Sequence, residues 1–109
     1  MPIANCLVSS KCQPGNTNLI DLWANASGQS SEQMTVTISH YDQQFGHDYE
    51  VIVNLYLPSL WSKNTISLLQ TGLSKALSEH FSLPIEQVFI MTSLIDSGFV
   101  VESGEAVNW

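Results

Sequence analysis

The chain writes one pattern twice: a strand, a helix and a second strand, then the same three elements again. The clearest echo sets Glu32-Gln33-Met34-Thr35-Val36 against Glu86-Gln87-Val88-Phe89-Ile90, each just past a helix and opening a strand. A strand–helix–strand unit crosses over in the right-handed sense and buries little apolar surface alone. Two such units, about residues 1–45 and 46–109, therefore share one sheet. The predicted fold is α+β: a tandem β-α-β repeat making a four-stranded mixed sheet with two helices on one face. A length of 109 residues suits one such domain with a real core, and not two.

Local signals place the elements. Ile3 to Ser9 alternates as a strand, and Pro14-Gly15 marks the loop after it. Asn18 is a helix N-cap, Asp21 favours the positive end of that helix, and Gly28 stops it. Met34, Val36 and Ile38 alternate with threonines, a period of two that predicts a half-buried strand. Gln43 to Asp48 is a polar reversal. Tyr49 to Leu57 puts Val51, Val53, Leu55 and Leu57 on one side and Ile52 and Tyr56 on the other, as a central strand would, and Pro58 ends it. A long helix from about Asn64 to Phe81 carries the stripe Ile66, Leu69, Leu73, Leu77 and Phe81. Gly72 weakens that helix by about 1 kcal/mol, and the expected return is a close approach to the sheet. Val88 to Met91 is the fourth strand, and Ser103-Gly104 turns a short terminal hairpin.

Two helices cover only one face of a sheet. With Trp23, Trp61, Trp109 and 44% apolar residues, other copies of the chain are expected on the bare face, with Trp109 docking on a neighbour.

Three lysines, no arginine and ten acidic residues give a net charge of −7. This excludes a nucleic-acid surface, which needs clustered cations, and an anionic membrane surface. It also removes any bidentate guanidinium clamp for a carboxylate or phosphate. Cys6 and Cys12 are too few for a disulfide scaffold, and His40, His47 and His80 are too scattered for a zinc site. No apolar run reaches transmembrane length, so a cytoplasmic location is expected, with no cofactor and no metal.

Pro2 is the strongest chemical candidate. If Met1 is removed, a free secondary amine stands at the head of an apolar strand. Burial lowers an amine's pKa, and a general base works best with a pKa near the operating pH. With Met1 retained the same nitrogen is an amide and is no base. An inert strand start is the competing reading.

In these features the chain resembles the tautomerase superfamily. Met1-Pro2-Ile3-Ala4 is similar to the start of the oxalocrotonate-type tautomerases. Leu68 to Leu73 and Leu83 to Ile90 resemble the last helix and strand of the macrophage-migration-inhibitory-factor branch. Gly46-His47-Asp48-Tyr49 is similar to a turn of the 5-carboxymethyl-2-hydroxymuconate isomerases, and Val107-Asn108-Trp109 to a tryptophan-containing tail of some members. The resemblance implies a homotrimer and an isomerase in which Pro2, as general base, moves a proton on a small 2-oxo or 2-hydroxy-unsaturated organic acid. It also implies Lys11 as the anion binder and Thr92 and Ser93 as hydrogen-bond donors just past the fourth strand. Tyr49 and Tyr56 are expected to line a pocket between subunits. The alternative is a non-catalytic homo-oligomer of the same fold that binds a small molecule or partner.

Overall fold

The computed structural model describes residues 1–109. Strand β1 (Ile3–Ser9), helix α1 (Leu19–Ser27) and strand β2 (Thr35–Tyr41) form the first unit. Strand β3 (Val51–Pro58), helix α2 (Lys63–Phe81) and strand β4 (Val88–Ile95) form the second. A small hairpin, β5 (Val100–Glu102) and β6 (Glu105–Val107), closes the chain. The sheet order is β2-β1-β3-β4. Each unit pairs its own two strands in parallel, and the units meet where β1 and β3 run antiparallel.

The local signals act as chemistry dictates. Asn18 Oδ1 accepts from the backbone N–H of Ile20 and Asp21 at 3.1 and 3.3 Å, satisfying donors that have no partner inside α1. Gly28 ends α1 at φ +70°, a backbone region that glycine enters without steric cost. Ser62 Oγ caps α2 through the N–H of Thr65 at 3.2 Å.

The core lies between the sheet and the two helices. Val51, Val53, Leu55 and Leu57 of β3 are fully buried, as are Ala4 and Val8 of β1 and Leu69, Leu73 and Leu77 of α2. Trp23 is the largest fully buried side chain; its Nε1–H donates to the Leu69 carbonyl at 2.9 Å and ties α1 to α2. Trp23 is therefore a core residue of its own protomer, not part of an intersubunit surface.

On the opposite sheet face, register aligns Leu7, Ile52 and Phe89 in one row and Asn5, Asn54 and Met91 in the next. Leu7, Phe89 and Met91 are exposed there.

Three expectations change. Gly72 does give a close approach, but to α1: a Cβ there would stand 2.9 Å from the Ser27 nitrogen and 3.0 Å from its Cα. Alanine gains about 1 kcal/mol in helix propensity, whereas forcing backbone away in a packed interior costs about 1–3 kcal/mol. Gly72→Ala is thus expected to lower the urea midpoint of unfolding, and an unchanged or raised midpoint would show that the helices part freely. Strand β2 runs on through Tyr41, beyond its threonine alternation. Strand β4 continues to Ile95, so Thr92 and Ser93 lie inside it; pairing with Leu55 through Pro58 of β3 holds this stretch in the ladder.

No helix is long and apolar enough to cross a membrane.

Candidate active site

Pro2 is buried at the head of β1, where its carbonyl accepts from the Thr35 N–H at 3.0 Å. That bond fixes the chain start beside the first residue of β2. Two hollows flank it. One, of about 210 Å³, is lined by Pro2, Ser30, Glu32, Gln33 and Trp61, among others. The other, of about 220 Å³, is walled by Leu60, Trp61, Val107 and Trp109, with Glu102 among its few polar groups. Met1, Gln33 and Trp61 line both, so the two hollows are halves of one cleft with the chain start between them.

The electrostatics favour an uncharged amine. Burial lowers the pKa of the Met1 ammonium, next to Pro2, below its ordinary 8.0, and the Glu102 carboxylate partly opposes this. The terminal hairpin brings Glu102 there, and Trp109 is held by its own protomer. The Trp109 backbone N–H donates to Ser97 Oγ at 2.8 Å and its Nε1–H to Ser59 Oγ at 3.4 Å. Trp109 is thus anchored within its own protomer, in the hollow that Met1 and Trp61 also line.

The other predicted site residues do not gather around Pro2. Lys11 lies past the far end of β1, the full strand away, roughly 23 Å at the usual rise per residue. It lines a separate cavity of about 380 Å³ with Asp42, Asp48 and Glu50. Tyr49 belongs to that end too; its N–H donates to Gln44 Oε1 at 2.8 Å and its ring packs 4.8 Å from both the His47 and Phe89 rings. Thr92 sits at the Pro2 end but under α2, accepting from Gln70 Nε2 at 2.7 Å. Tyr56 and Ser93 are register partners across β3 and β4, and Tyr56 also pairs with Ile3. Both lie at the Pro2 end, on the sheet face away from the helices, and neither lines the cleft.

The residues that do line it beside Pro2 (Gln33, Trp61, Glu102 and Trp109) were not assigned to a site from the sequence. The one usable signal was the pair of tryptophans at Trp61 and Trp109, outside either helical stripe.

Both thiols are held protonated. Burial pushes Cys6 up to about 12. Burial also raises Cys12, to about 11, aided by a hydrogen bond from its Sγ to Glu50 Oε2 (3.3 Å) and by that carboxylate's charge. No group of three His, Cys, Asp or Glu is placed to hold a metal ion. A proton bound more tightly in the folded state contributes fully while both states keep it, and that contribution is lost once the unfolded thiol can ionise and the folded one cannot. Stability is therefore full below about pH 9, the ordinary thiol value, and drains as pH rises toward 11–12. The urea midpoint is expected to fall between about pH 8 and pH 10.5, and to fall less in Cys12→Ser. An equal fall in both would rule out Cys12 as a contributor.

Neither protein-family models nor curated proteins give a match to this chain. Solved structures do. The backbone matches a fused 4-OT wild-type symmetric trimer at a TM-score of 0.77, with 15% identity over 96% of this chain and 94% of that one. Pt0534, solved after inactivation by 2-oxo-3-pentynoate, matches at 0.73, with 12% identity over 96% and 94%. A macrophage migration inhibitory factor from Oncomelania hupensis matches at 0.67, with 17% identity over 98% and 82%. At such identities the likeness is one of architecture. On that architecture, from the doubled β-α-β unit to the strand order, the chain has the tautomerase-superfamily fold.

Proposed function

We propose that the protein is a cofactor-independent tautomerase, in which Pro2, freed of Met1, is the general base for proton transfer on a small enolisable carbonyl compound. The observation that carries this reading is the burial of Pro2 in the wall of a hollow it shares with Gln33 and Trp61, which adjoins a second hollow walled by Trp61 and Trp109. Burial lowers the pKa of the Met1 ammonium at this place, and the same burial would act on the Pro2 amine once Met1 is removed, leaving more of it unprotonated near neutrality. The free amine takes a proton from the carbon beside the carbonyl and delivers it to oxygen or to another carbon. Gln33, lining both halves, offers side-chain N–H groups to the oxygen that gains negative charge.

The same proposal includes a homotrimer. Leu7, Phe89 and Met91 are exposed on the sheet face opposite the helices, and the matching fused 4-OT is a symmetric trimer. Tyr56 and Ser93 lie on that face, where a neighbouring copy would meet them.

Two measurements test the reading. Protein shown by mass to begin at Pro2 is expected to speed enol–keto interconversion of enolic phenylpyruvate or of the uncharged phenylacetaldehyde over buffer, and acceleration of neither would overturn the assignment. A solution mass near three times 12.0 kDa is expected, and a monomer would overturn the trimer. The non-catalytic alternative is favoured by one fact, that the Pro2 nitrogen is an amide while Met1 remains. Its mark would be Met1 retained in protein isolated from cells.

A further inference from the structure

The charges around the Pro2 cleft have one sign. Glu32 lines one half and Glu102 the other, and no lysine lines either. The chain's cations are only Lys11, Lys63 and Lys75. Lys11 lies at the opposite end of β1 among Asp42, Asp48 and Glu50. Lys63 and Lys75 are exposed on α2. A second copy of the chain brings no arginine either. A substrate carboxylate entering this cleft would meet two like charges and lose part of its hydration, with no guanidinium fork to replace it. The remaining wall, Leu60, Trp61, Val107 and Trp109, suits an apolar or aromatic flank.

We infer that the Pro2 cleft takes an enolisable carbonyl compound that carries no carboxylate, its apolar flank against Trp61 and Trp109 and its carbonyl toward Pro2. This rests on the reading of Pro2 as a free, reactive amine. The neighbouring carboxylates then act as a filter, excluding 2-oxo acids by repulsion while leaving ketones and aldehydes unaffected.

Two alkynyl ketones of the same skeleton test it: 2-oxo-3-pentynoate, and 3-pentyn-2-one, in which a methyl group replaces the carboxylate. An amine adds to the alkyne carbon remote from the carbonyl. One N–C bond forms, one π bond of the alkyne breaks, and the amine proton ends on the carbon beside the carbonyl, so the adduct mass is the sum of the two reactants. The probes are added to protein verified to begin at Pro2, and fragment-ion mapping separates Pro2 from Cys6 and Cys12. Each labelling rate is divided by the rate of free prolinamide with the same probe.

The normalised rate for 3-pentyn-2-one is expected to exceed that for 2-oxo-3-pentynoate by on the order of tenfold. Glu102→Gln is expected to narrow the gap, raising the acid's normalised rate relative to the ketone's. A preference for the acid would overturn the inference while leaving Pro2 as the reactive amine. An unchanged ratio in Glu102→Gln would overturn the role of that carboxylate as filter. Labelling of Pro2 by neither probe would overturn the reading of Pro2 itself, and the inference with it.

Discussion

An extension of two residues ahead of Pro2 is expected to lower kcat/KM for ketonisation of a small enol by about 10²–10⁴-fold, the usual contribution of a positioned general base. The extension turns the ring nitrogen into an amide, whose lone pair is delocalised and accepts no proton near neutrality. Because an extension also fills space in the cleft, Pro2→Ala is the companion measurement. With Met1 removed it keeps an amine in place, so a smaller loss is expected, together with a shifted pH profile. In protein that begins at Pro2, kcat/KM is expected to rise with pH through an apparent pKa below the ordinary terminal-amine value of 8.0, as burial outweighs the attraction of Glu102 at the neighbouring Met1 ammonium. Glu102→Gln removes that attraction and moves the limb lower still. Full activity in the extended protein would dismiss Pro2 as the base.

Trp23→Ala is expected to cost about 3–5 kcal/mol of stability, the range for emptying a large aromatic site in a core. Trp23 is wholly buried, spans the space between α1 and the sheet, and is the only side chain whose hydrogen bond joins α1 to the backbone of α2. In a chain of this size each lost kcal/mol lowers Tm by roughly 4–8 °C, so the variant melts far below the parent or fails to fold. Trp23→Phe keeps most of the apolar contact and loses the bond to the Leu69 carbonyl. A loss nearer 1–2 kcal/mol is expected there. A Tm for Trp23→Phe equal to that of the parent would show that the indole N–H contributes nothing to holding the helices together.

The elements were legible in the sequence because their causes are local. The threonine alternation before Ile38, the apolar interval along α2, the caps at Asn18 and Gly28 and the break at Pro58 each act within a turn or two of chain. Strand extensions were less legible. The residues Ser39 to Tyr41 and Thr92 to Ile95 join the sheet because β1 and β3 offer them hydrogen-bonding partners along their full length. Tyr41, Thr92 and Ile95 favour strands singly, but no alternation of apolar and polar residues marks these stretches as strand.

For the candidate site, the sequence by itself determined the proline at the head of β1, the shortage of cations and the doubled architecture. Tertiary structure alone decided which residues meet that amine. The order β2-β1-β3-β4 sends Lys11 to the far end of the sheet, tucks Thr92 beneath α2, and leads the chain after β4 back so that Glu102 and Trp109 face Met1 and Trp61. Periodicity records how one segment divides its own faces between core and water. It carries no information about which distant segment arrives at a given end of the sheet, and a cleft is assembled from such arrivals.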